Sequence, residues 1–125
     1  MPLVRIDLLK GRPPAYRREI SRVVYEALVT VGVPEHDRFQ VITEHERDSF
    51  IYDADYLGIH RSDDLVMIQI TWSEGRTVEQ KKALYAAIAA KLAQDPGLDP
   101  ADLVINLVEV KKENWSFGNG VAQYA

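Results

Sequence analysis

The chain opens with Met1–Pro2, and Pro2 is the residue with the most distinctive chemistry. Initiator methionine is removed when a small residue follows, and proline qualifies, so the mature chain is expected to begin with a secondary amine. An α-amino group titrates at about 7.7–8.0 in the reference state, closer to neutrality than any lysine. Apolar surroundings lower that value and nearby carboxylates raise it. Such a group serves as a general base when neutral and as an acid when cationic. The competing reading is that Pro2 only marks a processing site. Few other residues offer chemistry of their own. With no cysteine there is no disulfide framework, thiol nucleophile or thiolate metal site. His36, His45 and His60 show no metal-ligand spacing, and Asp63–Asp64 reads as a solvated turn.

The elements that must hold Pro2 are legible from periodicity. Residues 3–9 (LVRIDLL) alternate as a strand, with Leu3, Arg5 and Asp7 on one face and Val4, Ile6 and Leu8 on the other. Gly11 and Pro13–Pro14 end it and open a helix, proline being suited to a first helical turn. In that helix Tyr16, Ile20, Val23, Val24, Ala27, Leu28 and Val31 recur at helical spacing, with Arg17, Arg18, Glu19, Arg22 and Glu26 opposite. Gly32 and Pro34 close it, and Phe39–Glu44 reads as a second strand.

The pattern then repeats. Leu65–Trp72 (LVMIQITW) is almost wholly apolar, as in a strand covered on both faces. Thr77 with Gln80 forms a capping box before a helix carrying Leu84, Ala87, Ile88 and Leu92 on one stripe. Pro96, Gly97 and Pro100 interrupt it, and Leu103–Val110 gives a further strand. Gly11–Arg12 precedes the first helix as Gly75–Arg76 precedes the second. Asp37 and Asp102 precede the closing strands at a near-constant offset. These repeats imply a duplicated β-α-β unit, with halves at about residues 2–60 and 61–125, in one domain over 1–125. A right-handed crossover makes each unit's strands parallel. Two units joined edge to edge give an α/β (α+β) fold, a four-stranded sheet with both helices on one face. The other face, carrying Val4, Ile6 and Met67 or their alternates, needs a cover that self-association would supply. Residues 50–64 read as a short connector and the tail from Lys111 as a closing hairpin or loop, with a tight turn at Gly118–Asn119–Gly120.

Composition bounds the rest. The 125 residues are 46% hydrophobic and 27% charged, with a net charge of −4. No basic cluster interleaves with aromatics, which argues against a nucleic-acid partner. No apolar run reaches membrane-spanning length, and no signal-peptide layout opens the chain. The expectation is a cytoplasmic protein without a membrane partner.

Longer motifs extend this reading. VGVPEHDRFQ (31–40), LGIHRS (57–62), GRTVEQK (75–81) and ENWSFGNG (113–120), together with Pro2 at the head of a strand, resemble the malonate semialdehyde decarboxylase-like members of the tautomerase superfamily. The resemblance covers nearly the whole chain. It implies a homotrimer of β-α-β-β-α-β protomers that needs no cofactor or metal. It implies an active site around Pro2 for a small carboxylate substrate, with Pro2 as the catalytic amine and Asp37 as its acidic partner. Arg76 would be the catalytic anchor of the substrate carboxylate, through two parallel hydrogen bonds. Trp115 and Phe117 would be a substrate-binding apolar wall, although both also suit the core of a closing tail. Gln123 and Tyr124 lie near enough in sequence to join that wall. One departure stands out: relatives often carry a second arginine just ahead of the one at position 76, where this chain reads Ser73–Glu74. Arg38 and Arg61 are the candidates to replace it. The activity so implied is decarboxylation of a 3-oxo acid, malonate semialdehyde to acetaldehyde and carbon dioxide. Tautomerisation or hydration of enol and acetylenic acids, and a non-enzymatic binding role, are the alternatives.

Overall fold

In the computed structural model, which describes residues 2–125, two parallel strand pairs meet along an antiparallel seam. β1 (Leu3–Leu9) is followed by α1 (Pro14–Thr30) and β2 (Phe39–His45), and β5 (Val66–Ser73) by α2 (Val78–Gln94) and β6 (Leu103–Val110). The sheet order is β2-β1-β5-β6. β1 runs parallel to β2 and β5 parallel to β6, while β1 and β5 are antiparallel. The duplicated unit is therefore present, and its halves are related as by a two-fold rotation between the central strands.

Each helix starts where its residues make starting cheap. Pro14 occupies the first turn of α1, where its missing N–H costs nothing. Thr77 Oγ1 accepts from the Gln80 N–H (3.1 Å) while Gln80 Oε1 accepts from the Thr77 N–H (2.9 Å), closing the capping box ahead of α2. Both helices pack on one side of the sheet and against each other. There Val4, Ile6 and Leu8 of β1, Ile20, Val24 and Leu28 of α1, Ile68, Ile70 and Trp72 of β5, and Leu84, Ile88 and Leu92 of α2 are buried in one core. Full burial of each large aliphatic chain contributes about 1.5–3 kcal/mol.

Two sequence expectations change. β5 is covered on one face only: Val66, Ile68, Ile70 and Trp72 are buried against the helices, whereas Gln69 on the opposite face is exposed and Met67 half-exposed. Its alternation is masked because Met67 and Thr71 are themselves tolerant of apolar surroundings. Of the two faces the sequence left in question, the open one carries Met67 and the alternates of Val4 and Ile6: it presents Leu3, Phe39, Val41, Met67 and Val108, mixed with Arg5, Asp7, Gln69 and Asn106. The connector at 50–64 holds a small antiparallel hairpin, β3 (Asp55–Tyr56) and β4 (Ile59–His60). The tail takes the loop form of its two expected alternatives. It follows a short 3-10 turn (Lys112–Asn114) and then bends at Gly118, Asn119 and Gly120, all with positive φ. Among the described residues no helix is long and apolar enough to cross a membrane.

Candidate active site

Opposed strand directions bring the sequence candidates to one end of the sheet. Leu3 pairs with Phe39 on one side and Thr71 on the other. Pro2, buried, precedes Leu3, and the half-buried Asp37 stands two residues before Phe39. Arg76 follows the end of β5, and Trp115 and Phe117 follow the end of β6. Met1, whose removal would free the Pro2 amine, lies outside the described residues.

Arg76 is the most constrained of these side chains. The strand ladder continues one step past β5, with the Glu74 N–H donating to the Val110 carbonyl (2.9 Å). Gly75 then turns the chain at φ +118°, a left-handed conformation that favours glycine. Arg76 is left immediately before the Thr77 cap, near a helix N-terminus that disfavours cations. Its guanidinium carbon lies 4.1 Å from the centre of the fully buried Trp72 ring, a cation–π geometry of about 0.5–2 kcal/mol. Nη1 donates to the Ser73 carbonyl (3.2 Å). Burial pushes the Arg76 pKa down from its ordinary value, and the charge of Glu109 partly opposes this. Glu109 itself is engaged by Lys81 (2.6 Å). Among the described residues Arg76 makes no ion pair. A half-buried guanidinium, held flat on an indole and lacking a carboxylate, is prepared to receive an anion.

Arg76 lines a cavity of about 540 Å³ with Ser73, Gly75, Gln80, Lys112 and Tyr124. Pro2, Asp37, Trp115 and Phe117 are not among its lining residues. The last two stand behind it as an aromatic stack: Trp115 and Phe117 are 5.5 Å apart and nearly parallel, and Phe117 meets Tyr124 edge-on at 5.2 Å. Gln123 clips the tail shut, its Oε1 accepting from the Phe117 N–H (2.9 Å) and its Nε2 donating to the Gly118 carbonyl (3.1 Å). Tyr124 thus brings the aromatic group to the cavity wall.

Arg38 and Arg61 do not enter this cavity. Arg38 donates to Ser21 Oγ (2.5 Å) and stacks on Tyr25, and Arg61 donates to the Tyr56 and Ile59 carbonyls of the β3–β4 hairpin. The additional cation lining it is Lys112, which sequence spacing gave no reason to single out. Trp72 was likewise read only as part of an apolar strand, and Ser73 only as a missing arginine. Among the described residues no cluster of three or more His, Asp or Glu could hold a metal ion.

Comparison with known proteins fits this geometry. Families described as tautomerase enzymes match residues 37–118 and, separately, residues 2–59. A probable tautomerase of Bacillus subtilis, YusQ, is 42% identical over 124 residues, covering 98% of each chain. A second from the same organism, YrdN, is 34% identical over 125 residues, covering 99% of this chain and 96% of its own. Among solved structures, the FG41 malonate semialdehyde decarboxylase inhibited by 3-bromopropiolate superposes with a TM-score of 0.91 at 41% identity, covering 98% of this chain and 93% of that one. A malonate semialdehyde decarboxylase described as having decarboxylase and hydratase activities gives 0.91 at 32% identity, over 98% and 95%. The chain belongs to the tautomerase superfamily, in its malonate semialdehyde decarboxylase-like branch.

Proposed function

We propose that this protein decarboxylates a small 3-oxo acid, malonate semialdehyde to acetaldehyde and carbon dioxide, at the sheet end that carries both Pro2 and Arg76. The observation that carries the reading is the Arg76 guanidinium, half-buried, stacked on Trp72 and, among the described residues, without an ion pair. Similarity to two decarboxylases over nearly the whole chain supports the choice of reaction.

In this proposal Arg76 binds the C1 carboxylate and fixes its rotation relative to the C3 carbonyl. The Pro2 ammonium donates a hydrogen bond to the carbonyl oxygen. The C1–C2 bond breaks, its electron pair passes through C2 towards C3 and oxygen, and carbon dioxide leaves. The resulting enolate takes at C2 the proton carried by Pro2, which the solvent then restores, and becomes the aldehyde. Asp37, beside the start of β1, keeps the amine protonated. Trp115 and Phe117, reaching the cavity through Tyr124, exclude water and so strengthen each electrostatic contact. The chemistry requires that Met1 be removed. Trimerisation through the open sheet face would cover Phe39 and Val41, which are 50% and 44% exposed in the protomer. A cytoplasmic setting, suited to a chain without cysteine, completes the proposal.

The names of the Bacillus relatives favour a second reading, tautomerisation of an enol acid in the same cavity, since a cationic amine and an arginine serve that proton transfer too. A panel of 3-oxo, enol and acetylenic acids separates the two. The proposal expects malonate semialdehyde to give the highest kcat/KM. An enol acid turned over at least tenfold more efficiently would transfer the assignment to tautomerase.

A further inference from the structure

Ser73, which lines the cavity beside Arg76, bonds on both sides. Its hydroxyl accepts from Trp115 Nε1 (3.2 Å), and its carbonyl accepts from Arg76 Nη1 (3.2 Å). As the last residue of β5, paired with Val110, it is held by the ladder of the central sheet. The indole and the guanidinium therefore share one rigid support.

We propose that Ser73 is a positioning residue, whose hydroxyl tethers Trp115, and with it the aromatic wall, against the Arg76 turn. The role follows from hydrogen-bond chemistry. A hydroxyl accepts from an indole N–H, whereas a guanidinium only donates. An arginine at this position could not make the bond to Trp115. The aromatic stack from Trp115 through Phe117 to Tyr124 carries the consequence to the cavity, because Tyr124 lines it. The backbone carbonyl that holds Arg76 is unaffected by the side chain at 73. Losing the tether therefore disturbs the wall while leaving the anion anchor in place. This role rests on the decarboxylase reading for its kinetic consequence, and on the tether alone for its spectroscopic one.

The test uses Ser73→Ala, Ser73→Thr and Ser73→Arg in the full chain. Trp72 and Trp115 are the only tryptophans, so a nitrogen-15 spectrum contains two indole N–H resonances. The Trp115 resonance is expected to move in the alanine and arginine variants and to return in threonine, which restores the acceptor. With malonate semialdehyde, alanine is expected to lower kcat roughly tenfold with KM within about twofold, a cost typical of a misplaced group beside the chemistry. Threonine recovers most of that loss, and arginine lowers KM without restoring kcat. An indole resonance unmoved by Ser73→Ala overturns the tether. A resonance that moves while kcat stays at the wild-type value overturns the positioning role. A wild-type protein inert towards every 3-oxo acid refutes the proposed reaction instead, and the indole resonance still decides the tether.

Discussion

The two ends of the central sheet are built from the same repeated residues, yet their arginines meet different neighbours. Arg12 and Arg76 follow the first strand of each half, and Asp37 and Asp102 precede the second. Because β1 and β5 are antiparallel, the copies fall at opposite ends. At one end Arg12 pairs with Asp64 and stacks on Tyr16, while the buried Asp102 accepts from both the N–H and the hydroxyl of Ser62, each at 2.6 Å. At the other end Arg76 lies on Trp72 and, among the described residues, pairs with no carboxylate, while Asp37 precedes β2 where Pro2 precedes β1. Duplication supplies a cation and an acid twice. At the Arg12 end the neighbours consume both groups within the fold; under the proposed function Arg76 is kept for a ligand.

The largest contrast is expected between the two arginines. Arg76→Ala should lower kcat/KM for the carboxylate substrate roughly a thousandfold, about 4 kcal/mol of transition-state stabilisation. Arg12→Ala should leave turnover within about twofold and cost about 0.2–1 kcal/mol of stability, the range for a half-exposed ion pair. Steady-state kinetics and urea unfolding on the two variants decide it. Comparable losses of turnover would remove the functional distinction between the ends.

The aspartates should divide the other way. Asp102→Ala leaves two donors of Ser62 without their acceptor, and is expected to destabilise the fold by about 1–2 kcal/mol with little change in turnover per folded molecule. Asp37→Asn removes the acid beside Pro2 and should lower turnover roughly a hundredfold. A smaller effect concerns the β3–β4 hairpin, away from both ends. The hydrogen bond to Asp55, then its charge, raises the His60 pKa above its usual 6.5. The charged pair therefore contributes fully below about pH 6.5, and its contribution is lost as pH rises through the raised value. A proton NMR titration should place His60 above 6.5 in the wild type and nearer 6.5 in Asp55→Asn. A wild-type value at or below 6.5 contradicts the pairing.

Much of this architecture is legible in sequence because it depends on local rules. Pro14, the Thr77–Gln80 box and the apolar stripes of both helices mark the elements, and the repeated Gly–Arg and Asp positions mark the duplication. Less legible is anything that depends on which strand lies beside which. The open face of β5 is hidden by Met67 and Thr71, which suit either environment. The bonds of Ser73 span the sheet to Trp115 in the tail, and Lys112 reaches the cavity only through the turn after β6. Those contacts are non-local, so no spacing announces them. The tail motif singled out Trp115 and Phe117 and offered Tyr124 only by its proximity in sequence, yet of the three it is Tyr124 that lines the cavity.

The amine of Pro2 is the centre of the account, and it is tested by blocking it. Acetaldehyde formation from malonate semialdehyde should be compared between the processed protein, its N-terminus verified by intact mass, and a chain retaining one residue ahead of Pro2. The account predicts turnover by the processed protein and a loss of at least a thousandfold in the extended chain, whose Pro2 nitrogen is an amide that can be neither protonated nor condensed near neutral pH. Equal rates from the two proteins would contradict it.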